Sequence, residues 1–292
     1  VMSLSESDKL MSADAFEHPV SIAPMMKRTD RHYRHMMRLM SRETLLYTEM
    51  VTSKAIIFGK REKLLGYSKV EHPISLQLGG DNPKELAEAA KIGVEEWGYD
   101  EINLNVGCPS DRVKSGEFGA CLMAKPKLVA DCIKSMKDSV NIPVTVKCRT
   151  GIDNLDSQSR LLEFIDTISS AGCKTFIIHA RKAILNGLTP KENREIPPLN
   201  YQRVFAVKET FPDLEIVING GITNLSDASS FLEKVDGVMI GREAYQNPFF
   251  LNEVDEVIFG CSPSEKDRTN HLEEYILYIE SELQKGTPLK HM

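Results

Sequence analysis

The stretch NLNVGCPSDR, Asn103 to Arg112, sets Cys108 between a glycine and a proline just after an apolar run. Most free cysteines are buried, small and inert. One held on a loop beside polar residues can instead serve as a proton donor or nucleophile. A lysine, Lys147, closes a second apolar run, VTVK. Three roles fit it there: a Schiff-base nucleophile, a phosphate contact, or a stabiliser of negative charge on a cofactor. A snorkelling surface lysine is the ordinary alternative; the uninterrupted apolar strand before Lys147 argues against it.

Other polar groups recur at the ends of apolar runs. They are Glu49, Gln77, Asn103, Asn105, Arg149 beside Lys147, His179 with Arg181, Asn219, and Arg242 after Gly241; Ala23-Pro24-Met25 ends the first run. One such residue is loop solvation, but a set repeated at run after run lines a site. The NGGI stretch, Asn219 to Ile222, and the pair Gly241-Arg242 have a further use. Glycines let the backbone approach a ligand, successive N–H groups cradle an anion, and an arginine adds a charged hydrogen bond. Phosphate is the expected occupant.

These side chains need a scaffold that gathers strand ends. Eight apolar runs, 20–25, 44–50, 73–79, 99–106, 142–147, 174–180, 214–220 and 236–241, alternate with segments of helical period. Asn82 before Pro83 marks a helix start, while Gly98 and Gly172 mark helix ends. Eight βα units in series predict an α/β fold, a (β/α)8 TIM barrel over residues 18–260, with active-site groups at the C-terminal ends of the strands. No GxGxxG follows any strand, which disfavours an open doubly wound sheet. Residues 1–17, acidic and Ser-rich, are expected to be disordered. Residues 261–292 are expected to start a C-terminal helical domain that is cut short, with Leu272, Tyr275, Ile276, Ile279 and Leu283 along the apolar side of its first helix.

The 292 residues are 41% hydrophobic and 27% charged, with a net charge of −6, so any nucleic-acid surface must be local. No apolar run approaches the ~20 residues of a membrane span. Six cysteines without a CxxC point to a reducing compartment, the cytoplasm or an organelle, and not to a disulfide framework. His32 and His35 have helical spacing, but Lys27, Arg28, Arg31, Arg34 and Arg38 around them would repel a metal ion, and none is expected.

Long contiguous motifs carry a family resemblance. SIAPM, TEMV, QLGG, DEINLNVGCPSDRV, FGACLM, VTVKCRTGID, FIIHARKA, LTPKENREIPPL, INGGI and DGVMIGREAYQNP, from about Val20 to Gly260, resemble the tRNA-dihydrouridine synthases. The resemblance is greatest to the A type, which acts at positions 20 and 20a of the D-loop. It implies bound FMN, NADPH as reductant, and hydrogenation of the C5–C6 bond of a tRNA uridine. By the same resemblance Ala23, Pro24 and Met25 border the flavin ring, and Gln77, Lys147 and His179 contact it. Asn219, Gly220, Gly221, Gly241 and Arg242 hold its phosphate, in agreement with the reading from glycine and arginine alone. Cys108 is the catalytic acid, which protonates C5 after hydride reaches C6. An ordinary thiol, with a pKa of about 8.5, is mostly protonated near neutral pH and suits that role.

Asn105, Arg149, Arg181, Lys191, Asn193 and Arg194 are implied on the substrate side, where the uridine must be flipped out at a cost of a few kcal/mol. Two basic stretches offer support for tRNA: KRTDRHYRHMMR, 27–38, and the long loop RKAILNGLTPKENRE, 181–195. Met26-Lys27-Arg28 departs from the family pattern and adds charge near the flavin loop. Two rival readings are a flavin barrel acting on free pyrimidines and a catalytically silent, flavin-containing RNA-binding module. The 181–195 loop argues against the first, and the intact Cys108 and Lys147 argue against the second.

Overall fold

The structure is a computed structural model and describes residues 18–110 and 118–292. The N-terminal segment 1–17 and the second half of the cysteine loop lie outside the described residues. The apolar runs form nine parallel strands: β1 (Val20–Ile22), β2 (Leu45–Tyr47), β3 (Val51–Thr52), β4 (Ile74–Gly79), β5 (Glu101–Val106), β6 (Val144–Arg149), β7 (Thr175–His179), β8 (Glu215–Asn219) and β9 (Gly237–Ile240). Pairing runs β2-β1-β9-β8-β7-β6-β5-β4, and β2 also pairs with β4, Leu46 opposite Ile74, which closes eight strands into a barrel.

The run 44–50 gives one strand fewer residues than expected and a separate two-residue strand after it. Thr48 is the reason. Its Oγ1 accepts the N–H of Gln77 at 3.1 Å, taking a ladder position from a backbone carbonyl. The chain then re-pairs at Val51, opposite Leu78, as β3. In the other direction β6 outruns its expected end: Lys147 is followed by Cys148 and Arg149 in register with Ile178 and His179.

Helices alternate with the strands: α1 (Arg31–Met40), α2 (Ser53–Phe58), α3 (Arg61–Leu65), α4 (Pro83–Glu95), α5 (Pro126–Ser139), α6 (Gln158–Ser170), α7 (Tyr201–Thr210), α8 (Leu225–Leu232), α9 (Arg242–Gln246), α10 (Val254–Val257) and α11 (Arg268–Gln284). Asn82 caps α4 through Lys84 N and Glu85 N, and Gly98 and Gly172 take positive φ beyond α4 and α6. The short helices α3, α9 and α10 carry too few turns for a periodic signal. Among the described residues no helix is long and apolar enough to cross a membrane.

Strand alternation divides the side chains. In β5, Ile102, Leu104 and Val106 join the large core between strands and helices, where each fully buried aliphatic side chain is worth about 1.5–3 kcal/mol. Glu101, Asn103 and Asn105 take the opposite, inward face. Half of the barrel interior is apolar, built from Ala23, Leu45, Tyr47, Ile177, Val217 and Met239. The half supplied by β4, β5 and β6 is hydrogen-bonded.

Two expectations are corrected here. In α11 the inward side is not the apolar stripe: Leu272 and Ile276 are each 52% exposed and Leu283 is 44% exposed. Of the expected stripe Tyr275 is buried, and it is joined on the inner side by His271 and Glu282. Helix α1 selects that face. His32 Nδ1 meets Tyr278 OH at 2.7 Å, the His35 ring stacks on Tyr278 at 3.8 Å, and Arg31 pairs with Glu282 at 2.5 Å. The two histidines thus serve helix docking.

The basic stretch 27–38 is likewise not a nucleic-acid face along its length. Arg34 is buried against Glu71 at 2.7 Å, and Arg38 donates to the carbonyls of Ser41, Arg42, Glu71 and Pro73. Its helical period puts Arg34 and Arg38 on the same inner side as Met37. Only Lys27 and Arg28 of the five cations are exposed.

Candidate active site

The C-terminal ends of β4 to β9 open into one mouth, and the cysteine loop is pinned to it from two sides. Asn105, at the end of β5, accepts the N–H groups of Gly107 at 3.1 Å and Cys108 at 3.0 Å through Oδ1. From β6, Arg149 donates Nε to Gly107 O at 2.9 Å. The carbonyl of Cys108 accepts Ala120 N at 3.0 Å. The thiol is half-buried, 3.5 Å from Ser110 Oγ. Cys132, Cys148 and Cys173 are buried, and burial pushes each thiol up to about 12. Cys148 faces the helices, opposite to Lys147 as alternation requires. Cys121 is half-buried beside the cysteine loop.

Lys147 reaches across the barrel to donate to Asn219 Oδ1 at 3.0 Å, and Asn219 Nδ2 donates to Met239 O at 2.8 Å. Its side chain keeps some exposure at the mouth, yet loss of water and the nearby Arg149 push its ammonium down to about 8. Arg149 is itself pushed down to about 10, chiefly by burial. His179 is held well below the ordinary imidazole range by burial and by Arg149, Lys147, Arg181 and Arg242. It is therefore neutral. Because its Nδ1 accepts Arg181 N at 3.3 Å, the proton sits on Nε2, beside Gly220.

Gly220 and Gly221 have φ of +117° and +71°. A Cβ on Gly220 would lie 2.9 Å from Leu199, and one on Gly221 2.6 Å from the same side chain. Tyr201 OH holds the turn by donating to Gly220 O at 2.8 Å. Gly241 precedes α9, whose first residue, Arg242, reaches Glu195 Oε1 and Arg194 O, both at 3.3 Å. Ala23 N is tied to Ile240 O at 2.9 Å, and Met25 O closes the turn by accepting from Arg28 and Thr29.

Gln77 lies one layer deeper, with its amide between Asn103 and Asn105. Arg181 donates to the carbonyls of Glu195 and Pro197. Lys191 is exposed on the loop after β7. Asn193 is wholly buried: it accepts Ile184 N, and donates to Ile184 O, Leu188 O and Thr189 O. It shapes the loop that carries Arg194. Arg149 likewise donates Nη1 to Lys182 O and Asn193 O, which ties the cysteine loop to the 181–195 loop.

Residues Ser21 to Met292 match the family model described as Dihydrouridine synthase (Dus). The chain belongs to the dihydrouridine synthase family. It is 58% identical over 272 residues to a tRNA-dihydrouridine(20/20a) synthase of Shewanella oneidensis, covering 93% of this chain and 81% of the relative. A tRNA-dihydrouridine(20/20a) synthase of Vibrio cholerae is 57% identical over 274 residues, 94% of this chain and 83% of its own. One of Escherichia coli K12 is 59% identical over 273 residues, 93% and 79% respectively.

The charge pattern of this dihydrouridine synthase fits a bound anion. After burial, the charged groups that lower His179 are all cations, and the carboxylate of Glu195 pairs with Arg242 at the rim. Positive φ at Gly220 and Gly221 suits a tight backbone turn, and with Arg242 nearby a phosphate is a chemical match for the donors present. Sequence reading passed over Glu101, Ser75 and Thr145, which support Gln77, Asn103 and Asn105 from below. Their signal was present as polar residues at every second position of β5, Glu101, Asn103 and Asn105.

Proposed function

We propose that this chain reduces the C5–C6 double bond of uridine in tRNA to 5,6-dihydrouridine, at positions 20 and 20a of the D-loop. The observation that carries the reading is a half-exposed thiol, Cys108, pinned by Asn105 and Arg149 on the rim of a mouth whose cations repel one another. FMN, when bound and reduced by NADPH, supplies the hydride that reaches C6.

The chain's residues supply the rest. Gly220, Gly221, Gly241 and Arg242 hold the FMN phosphate with backbone N–H groups and a guanidinium, helped by Asn219 through its grip on Lys147. Ala23, Pro24 and Met25 would border the flavin ring, and Gln77 would support it through the amides of Asn103 and Asn105. His179 donates from Nε2, and the Lys147 ammonium stabilises negative charge on the cofactor, an electrostatic role that alanine cannot fill. Asn105 hydrogen-bonds the uracil edge. Cys108 gives its S–H proton to C5 as the charge left by hydride addition collapses; the thiolate regains a proton from water, so the two electrons and two hydrogens balance. Arg181, Lys191 and Arg194 meet the tRNA backbone around the flipped nucleotide, with Arg149 and Asn193 fixing the loop beneath them.

The test compares the chain with its Cys108→Ala variant, each incubated with unmodified tRNA and NADPH, with dihydrouridine measured by mass spectrometry. Product is expected from the first, at a rate about 10²–10⁴ above the second, the usual worth of a positioned general acid. Equal rates would remove Cys108 from the mechanism. NADPH oxidation without dihydrouridine in either would remove tRNA uridine as the substrate.

A further inference from the structure

The polar half of the barrel interior is one directed chain of hydrogen bonds. At its base Glu101 Oε1 accepts three donors: Tyr47 OH at 2.6 Å, Ser75 Oγ at 2.8 Å and Thr145 Oγ1 at 2.9 Å. An oxygen taking three donors carries no hydrogen of its own. The Thr145 hydrogen is therefore committed to Glu101, and Thr145 can only accept from its other neighbour. That neighbour is Asn103, whose Nδ2 donates at 2.8 Å. Asn103 Oδ1 then faces Gln77 and accepts its Nε2 at 2.9 Å; Gln77 Oε1 accepts Asn105 Nδ2, also at 2.9 Å. The chain ends with Asn105 Oδ1 turned to the N–H groups of Gly107 and Cys108.

A primary amide alone can point either way. Here none of the three, Asn103, Gln77 and Asn105, is more than 9% exposed, so water cannot satisfy a reversed amide. Flipping any one sets oxygen against oxygen on one side and N–H against N–H on the other. Two ends without an alternative fix the direction together: the carboxylate, which accepts three donors at the base, and the backbone N–H groups of Gly107 and Cys108, which can only donate at the top.

We propose that Glu101 is a positioning residue for the reaction: through Thr145, Asn103, Gln77 and Asn105 it fixes the loop that presents the Cys108 thiol, from roughly 13 Å away along β5. The proposal rests on Cys108 being the proton donor. It also explains why a carboxylate is buried at the base of the polar half of the barrel interior.

The test reads the thiol directly. The rate of Cys108 alkylation by iodoacetamide is followed by peptide mapping in the full chain, alongside kcat and the KM for tRNA. Glu101→Leu and the milder Thr145→Val are expected to change the alkylation rate roughly three- to tenfold, and to lower kcat by a like factor with KM held within about twofold. Glu101→Gln keeps an acceptor oxygen at the base and is expected to return both readouts to within about twofold of the parent. In an Asn105→Ala background Glu101→Leu should add nothing further. Additive effects in that double variant, or unchanged alkylation in a folded Thr145→Val, would overturn the relay. If the parent makes no dihydrouridine while the alkylation pattern holds, the relay stands and the proposed reaction falls.

Discussion

Helix α1 carries Arg31, Arg34 and Arg38; the barrel mouth carries Lys147, Arg149, Arg181, Arg194 and Arg242. In α1 the charges are answered within the protein: Arg31 by Glu282, Arg34 by Glu71, and Arg38 by four carbonyls. At the mouth the cations are held as well, Arg149 and Arg181 by carbonyls and Arg242 by Glu195. Burial is the larger cause that pushes Lys147 down to about 8 and Arg149 to about 10, as it pushes Arg38 down to about 10. The difference lies in the charged neighbours: carboxylates raise Arg38, whereas Arg149 lowers Lys147 and Arg242 lowers Arg194. A basic run in a sequence is thus no measure of anion affinity; cations set against other cations are the better mark of an anion site.

The contrast can be broken most forcefully in α1. Arg34→Met leaves Glu71 buried without its partner and is expected to cost about 3–5 kcal/mol in urea unfolding, whereas Arg34→Met with Glu71→Leu should recover most of that. A single change costing less than about 1 kcal/mol would mean the pair is not needed to balance the buried carboxylate.

At the mouth the same kind of change should alter binding instead. Arg242→Ala is expected to weaken FMN affinity about tenfold to a hundredfold by fluorescence titration, the range of a charged hydrogen bond, and to move stability by no more than about 0.5 kcal/mol. Unaltered FMN affinity would place the phosphate elsewhere.

Lys147 sharpens the comparison through pH. Its folded pKa of about 8 lies below the ordinary value of about 10.4. Between those values the unfolded chain binds more protons, so the stability of the cofactor-free protein rises with pH across that window. The rise should be on the order of 1–3 kcal/mol and should vanish in Lys147→Met, as read by urea unfolding at several pH values. FMN should raise the Lys147 pKa and flatten the slope. A flat slope without FMN would mean that the mouth does not strain this ammonium.

The smallest effect is expected at Arg28, one of the two exposed cations of the 27–38 stretch, whose guanidinium lies 4.1 Å over the Tyr245 ring. Arg28→Ala should weaken tRNA binding about two- to fivefold and reduce the salt slope by about 1, with the melting temperature unchanged.

The sequence made the barrel legible because parallel strands buried on both faces read as apolar runs, and the strand ends identified the mouth. Cys108, Lys147 and the two glycine turns could be singled out for the same reason. The partners of Arg34 and Arg38 could not, because Glu71 and Pro73 are more than thirty positions away and only tertiary packing joins them. The inner face of α11 was missed because its own apolar stripe was the stronger local signal, whereas His32, His35 and Arg31 on α1 favoured an aromatic and an acid. The resemblance set Asn193 on the substrate side, and its burial within the loop could not be read from the sequence because the loop folds around it. The Glu101 chain was half visible in the alternation of β5; its links on β4 and β6 required the register.

The most direct measurement is anaerobic rapid mixing. The FMN-loaded protein is reduced with one equivalent of NADPH, mixed with unmodified tRNA, and followed at the flavin absorbance band, with dihydrouridine assayed in the same samples. The proposed function predicts flavin reoxidation in step with dihydrouridine formation, and slowing of both by about 10²–10⁴ in Cys108→Ala. Reoxidation without dihydrouridine, or equal rates in the two proteins, would contradict it.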